Sequence, residues 1–245
     1  MKNSREITAV RRDARHHAAK ILAGVLLIAV LLSGLAPVAN AVVIADSSAD
    51  FSGVQGLHNW SYGYYNGHSA TPYKPGDFVF LPTYGASVSG TSWHALEAPG
   101  GTWTLASAQQ QHPNGPQTSG GRLSEEQWSV RRWVSPVAGH VQIAGSFNYV
   151  GTGTSDGTFD SLTVDNTTIL SHHVTPANPG FSFSTTATVH VGSILDFAVA
   201  PGTTDYGDAT NICVTISTVP EPSTLALAAF GFMGLAWGCR RKLRS

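Results

Sequence analysis

The stretch His140-Val141-Gln142-Ile143-Ala144-Gly145-Ser146-Phe147-Asn148-Tyr149-Val150 decides the fold. Successive side chains of an extended strand point to opposite faces, so Val141, Ile143, Gly145, Phe147 and Tyr149 share one face. Their neighbours Gln142, Ser146 and Asn148 are polar and fall on the other. Strict alternation over this length is the pattern of a half-buried strand, not of a helix.

Working outward, short β-rich runs recur on both sides. They are Phe78 to Leu81, Trp103 to Ala106, Gln127 to Val134, Phe159 to Val164, Thr168 to Val174, Phe181 to Val189, Ile194 to Val199 and Ile212 to Ser217. Most are separated by Gly, Pro, Asn or Asp, and from Gln127 onward they repeat at the interval typical of antiparallel sandwiches. Ile212, Val214 and Ile216 alternate onto one side. Away from the two ends no segment carries a convincing 3.6-residue repeat. The expectation is an all-β protein: a single antiparallel β-sandwich, jelly-roll-like, over residues 42–219.

Upstream, residues 50–127 are rich in Gly, Tyr, His and Ser and poor in aliphatics. Long loops and short edge strands are expected to complete one end of the sandwich there. Within this region lies Trp60-Ser61-Tyr62-Gly63-Tyr64-Tyr65. As a strand it would place Trp60, Tyr62 and Tyr64 on one side and Tyr65 on the other. Exposed aromatic rings stack on the C–H faces of sugars, so these four are the candidate ligand contacts. Trp128 and Trp133 are expected to fill the core.

Charge is distributed unevenly. Six Lys and Arg fall in residues 1–41 and four in the last six residues, leaving four for residues 42–219, which hold twelve carboxylates. So acidic a segment repels phosphate backbones and anionic lipid, and nucleic acid is not an expected partner.

The two ends read as addresses. At the N-terminus a basic stretch leads into the apolar run Ile21 to Leu35, then Ala39-Asn40-Ala41, the small-x-small pattern of a signal-peptidase site. Residues 1–41 are therefore expected to be a signal peptide with a helical apolar segment, cleaved after Ala41; the alternative is a retained anchor. At the C-terminus Pro220-Glu221-Pro222 is followed by the apolar stretch Leu225 to Trp237 and by Arg240-Arg241-Lys242-Leu243-Arg244. The prolines cannot continue a strand, and the remainder has the form of a short membrane helix with a cytoplasmic basic stop.

This order of Pro-Glu-Pro, apolar helix and Arg-rich end closely resembles the PEP-CTERM sorting signal of Gram-negative bacteria. The resemblance covers about the last 27 residues, 220–245 with their approach. It implies inner-membrane insertion through the C-terminal helix and recognition by an exosortase-type membrane protease, with Pro220, Glu221, Pro222, Arg240 and Arg241 as the sorting motif. It further implies removal of the tail and delivery to the cell surface or extracellular matrix.

A second, diffuse likeness runs through residues 50–218. Gln55-Gly56-x-x-Asn59-Trp60-x-Tyr62-Gly63-Tyr64-Tyr65, Val130-Arg131-Arg132-Trp133 and Gly192-x-x-Leu195-Asp196-Phe197-Ala198-Val199-Ala200-Pro201-Gly202 are similar to non-catalytic galactose-binding and carbohydrate-binding β-sandwich modules.

Candidate chemistry is sparse. Gly153-Thr154-Ser155-Asp156-Gly157 has the Gly-x-Ser-x-Gly form, but a strand-like segment follows where a nucleophile elbow needs a helix. Adjacent Glu125 and Glu126 face apart on an extended chain and cannot flank a sugar as a pair. The eight His of residues 42–219 lack the paired spacing of a zinc site, and His172-His173 point to opposite faces. Asp156, Asp160, Asp205 and Asp208 sit in Gly- and Thr-rich turns, where they read either as ligands of a calcium ion or as ordinary turn residues. Arg131 or Arg132 is expected to pair with Glu125 or Asp196. Cys213 is expected to be buried as a small hydrophobe.

Two function classes follow. The expected one is an exported, non-catalytic cell-envelope or matrix protein that binds extracellular polysaccharide or serves structurally; the alternative is a secreted enzyme acting on polysaccharide from the same scaffold. No convergent acid/base or metal pattern supports catalysis, so the chain is not expected to be an enzyme.

Overall fold

The computed structural model describes residues 41–66, 77–95, 100–118, 120–151, 155–219 and 231. The expected signal helix and C-terminal membrane helix lie outside these residues, and no described helix is long and apolar enough to cross a membrane. Val42–Val219 form a compact unit of their own.

That unit is all-β, as the alternation requires. Its strands are β1 (Val43–Asp46), β2 (Trp60–Asn66), β3 (Phe78–Phe80), β4 (Thr83–Ser87), β5 (Gly90–His94), β6 (Leu105–Ser107) and β7 (Gln110–His112). Then follow β8 (Gln127–Val134), β9 (Gly139–Tyr149), β10 (Thr158–Val164), β11 (Thr167–Val174), β12 (Gly180–Val189), β13 (Ile194–Pro201) and β14 (Thr210–Thr218). One short 3-10 turn, Leu57–Asn59, precedes β2. The strands form two antiparallel sheets. The larger has eight, in the order β12-β9-β14-β7-β6-β5-β4 with β1 on β14; the smaller has six, in the order β11-β10-β13-β8-β2-β3.

The core lies between them. From β9 and β14 come Val141, Ile143, Phe147, Ile212, Val214 and Ile216; from β8, β10 and β13 come Trp133, Leu162, Leu195, Phe197 and Val199. These are the inward positions of each strand, and burying them supplies the main driving force for closing the sandwich. The β10–β11 hairpin turns on Asp165 and Asn166, with φ of 44° and 69°. Two consecutive left-handed residues are what a two-residue hairpin of matching twist demands, and Asp and Asn tolerate them best.

Sequence reasoning misses β1, β4, β5 and β7 and misplaces β2. Expected among edge strands, β2 runs between β8 and β3 inside the smaller sheet. Cys213 is exposed, a correction to its expected burial. If Ile212 and Val214 face inward, Cys213 between them must face out.

Arg131 is the unexpected core residue. Fully buried on β8, it donates from Nη1 to the carbonyls of Ser47 (2.7 Å) and Ala108 (3.0 Å), and from Nη2 to that of Ser107 (2.6 Å). Burial lowers its pKa to about 10, against the nearby Tyr62 ring, Cys213 and Asp46, which raise it. The guanidinium ties the end of β6 and the loop carbonyls of Ser47 and Ala108 to a strand of the smaller sheet.

Candidate functional site

The outer face of the six-stranded sheet carries the most complete set of recognition groups. Tyr65 on β2 stands opposite Trp128 on β8. β13 pairs with β8 as far as Val199–Ser129, and the next residue of β13, Ala200, pairs with Phe159 of β10. Phe159 pairs with His173 of β11. Register therefore draws Tyr65, Trp128, Phe159 and His173 into one row across five strands, about 19 Å at ordinary strand spacing.

Within the row the rings contact one another. Tyr65 and Trp128 lie 6.2 Å apart between centroids, tilted by 56°, and Phe159 and His173 stack in parallel at 4.2 Å. His173 Nε2 lies 3.0 Å from the Asp156 carbonyl, which fixes the imidazole plane. Phe159 is 46% exposed and Phe80, on β3 of the same sheet, 56%. The small residue Ala200 separates the two ring pairs.

Beside the row lies a charged pair. Arg132 donates from Nε and Nη2 to the two oxygens of Asp196, each at 2.8 Å, and Tyr65 Oη donates to Asp196 Oδ2 at 2.7 Å. Burial, then the adjoining Asp196 charge and the hydrogen bond to it, raise the Tyr65 pKa far above the ordinary value, so this phenol stays a donor. The Arg132 guanidinium also lies over the Phe78 ring, 3.9 Å from its centroid. Phe78 in turn occupies the space above Gly63, where a Cβ would collide with its ring and with the Val79 carbonyl. Trp128 Nε1 donates to Glu126 Oε1 at 2.8 Å. Trp128, Phe159 and His173 with Glu126 are thus the groups this face turns to solvent, the parts with which proteins bind sugars, while buried Tyr65 and Asp196 hold them in shape from beneath.

The four expected aromatic contacts behave differently from expectation. Trp60, Tyr62 and Tyr65 are buried and Tyr64 is half-buried. Their facing is as read: Trp60, Tyr62 and Tyr64 join the main core, and Tyr65 joins the outer cluster with Trp128 and Phe78. Exposure fails because β2 is flanked on both edges and its inner face packs on Phe51, Trp93 and Phe197. Burial pushes the Tyr62 hydroxyl up to about 12. The partners that complete the outer face, Phe78, Phe80, Trp128, Phe159 and His173, were missed because only strand register brings them together. The Arg132–Asp196 pairing was expected and forms.

The four aspartates sit at one end of the sandwich but do not join around one centre. Asp156 accepts from Thr203 N (2.6 Å), Thr203 Oγ1 (2.5 Å) and Thr204 Oγ1 (3.2 Å), bonds that hold its pKa low against burial. Asp205 accepts from Gly115 N at 3.1 Å. Asp208 accepts from Ser155 Oγ at 2.5 Å; burial, with Asp156 and Asp205 nearby, pushes it up to about 7. Asp160 is an inward residue of β10, wholly buried, and burial pushes it up to about 8, the Thr158 hydroxyl opposing and Asp208 adding. Among the described residues no three His, Cys, Asp or Glu form a group that could hold a metal ion. Loop donors satisfy Asp156, and Asp160 is turned into the core.

The remaining expected site residues are Pro220, Glu221, Pro222, Arg240, Arg241 and Ala39, which lie outside the described residues; Ala41 is described and exposed.

Matches to solved structures are weak, with TM-scores of 0.24 to 0.30. A family 35 carbohydrate-binding module from Clostridium thermocellum is 16% identical over 36% of this chain and 69% of its own, with a TM-score of 0.25. The C-terminal CBM6 of LamC from Zobellia galactanivorans is 14% identical over 44% of this chain and 90% of its own, TM-score 0.24. A β-glucosidase from Kluyveromyces marxianus is 8% identical over 68% of this chain and 16% of its own, TM-score 0.30. Comparison with curated proteins gives no match. Residues 218–242 match the PEP-CTERM protein-sorting motif, which implies export of the chain and processing by an exosortase.

Proposed function

We propose that this chain is an exported, non-catalytic module of the cell surface or extracellular matrix that holds polysaccharide on the outer face of its six-stranded sheet. In this reading residues 1–41 are removed by signal peptidase. Residues 220–245 hold the chain in the inner membrane through their apolar helix until an exosortase removes them. Residues 42–219 remain as the working sandwich.

The observation that carries the glycan assignment is the accessible group Trp128, Phe159 and His173, backed by the buried Tyr65 and Arg132–Asp196 pair. Trp128 and Phe159 offer rings to sugar faces, and Glu126 accepts from hydroxyls. The net negative charge of residues 42–219 selects neutral over acidic polymers.

A glycan array probed with Val42–Val219, with hydrolysis assayed on the same polysaccharides, tests the reading. The expected result is binding without turnover, weakened about tenfold or more by Trp128→Ala and by Phe159→Ala. Turnover would favour the enzyme alternative. Binding indifferent to both substitutions would move the glycan elsewhere on the molecule.

A further inference from the structure

The side of the sandwich that ends in β12 is built unlike the other sheet edges. β12 is the outermost strand of the larger sheet and pairs with β9 over ten consecutive residues, Gly180 to Val189, without a register shift. The other outer strands are short or irregular. β3 has three residues and β4 five, β1 has four with a shifted register, and β11 pairs with β10 through a register shift at Leu162/Thr163. Short length, bulges, internal proline and charge are the devices that keep an edge from pairing with another chain. β12 has none of them, and Pro179 stands just before it.

The backbone groups on this edge can be assigned. Tyr149 N–H donates to the Pro179 carbonyl at 2.6 Å, and bonding alternates along an antiparallel ladder. Phe181, Phe183, Thr185, Ala187 and Val189 therefore bond to β9. Gly180, Ser182, Ser184, Thr186 and Thr188 turn their N–H and C=O groups away from it. Ser182, Ser184, Thr186 and Thr188 are exposed.

Charge selects the partner. In residues 42–219 twelve carboxylates stand against four Lys and Arg, so two copies repel wherever acidic surfaces meet. β9, β11 and β12, with the connection from Thr175 to Pro179, contain no Asp, Glu, Lys or Arg. Identical strands meeting antiparallel obey a two-fold axis, and because the outward-turned amides are those of the even-numbered residues, the ladder sets the uncharged hydroxyl row of one copy against that of the other, a favourable cross-strand pairing.

We propose that β12 is a self-association edge: two copies of this chain pair β12 to β12 antiparallel, joining their eight-stranded sheets into one continuous sheet across a two-fold axis.

Light scattering on Val42–Val219 over a range of concentrations gives the mass, and amide hydrogen exchange gives the location. The expected result is a mass rising to twice that of one unit, with the amides of Ser182, Ser184 and Thr186 slowed in step. Thr186→Pro removes an N–H that β9 does not use, which an edge strand tolerates, and should return the mass to one unit. Thr186→Lys should do the same by placing like charges across the axis, and it decides the matter if the proline variant fails to fold. A single-unit mass at every concentration would overturn the proposal. So would a doubled mass that Thr186→Lys leaves intact.

Discussion

Arg132 and Asp196 face each other across the β8–β13 ladder and close a two-point ion pair on the outer side of the sheet, with the Tyr65 hydroxyl as a third donor to the same carboxylate. Asp196 is fully buried, so its charge depends on these donors. Removing one partner of such a pair costs about 3–5 kcal/mol because the other is stranded. Arg132→Ala should lower the urea midpoint of Val42–Val219 accordingly. Tyr65→Phe, which removes one neutral donor, should cost about 1–2 kcal/mol. The double variant should cost less than the sum of the two, because both bonds end on one carboxylate.

Asp160 and Asp208 give the fold an unusual response to pH. Their carboxyls titrate near 8 and 7 when folded, whereas in the unfolded chain they titrate near 4. The stability they lend is complete below about pH 4 and is lost progressively from there up to the folded values near 7 and 8, by about 1.4 kcal/mol per pH unit for each group over its own span. His112, lowered by burial, works the other way and loses stability in acid. Comparing chemical denaturation of wild type and Asp160→Asn at pH 5, 7 and 9 isolates the effect. The variant should gain on wild type as pH rises, and an identical pH profile for the two proteins would refute the assignment.

Gly63 is required by its neighbours. It lies on the face that Phe78 covers, and any side chain there meets the Phe78 ring and the Val79 carbonyl. Overfilling a packed site costs about 1–3 kcal/mol. Gly63→Ala should lower stability by about that amount and also displace Phe78 from under Arg132. A melting temperature equal to that of wild type would show that the seat is roomier than described.

Cys213 projects from the outer face of β14 and has no disulfide partner among the described residues. Ellman's reagent should therefore titrate one thiol in native Val42–Val219 without denaturant. A thiol that reacts only after unfolding would mean that this face is covered in solution.

The sandwich was legible because β9 and β14 alternate cleanly and β8 to β14 are set off by turn residues, and the parity that exposes Cys213 was already present in Ile212, Val214 and Ile216. The front half was harder to read. β4, β5 and β7 are three to five residues long, too short for a period to register, and β2 is aromatic on both faces, which resembles an exposed binding strand as much as a buried one. The Arg132–Asp196 pair could be anticipated because four basic residues leave few choices. The aromatic row could not, since Tyr65, Trp128 and the Phe159–His173 hairpin pair are far apart in sequence and come together only through strand order.

β14 is the last strand of the sandwich in sequence and an interior one in space, bonded to β9 along its length and to β7 and β1 on its other side. Its final residue, Thr218, donates its N–H to the carbonyl of Val42 at 2.9 Å, so the two ends of the unit meet. A chain delivered from its N-terminus cannot finish the larger sheet until the segment next to the sorting motif has emerged. Closure of the larger sheet therefore waits on Thr218, and the unit is complete only when both of its ends are in place. A protease cutting before Thr210 would release an open sheet instead of a finished module.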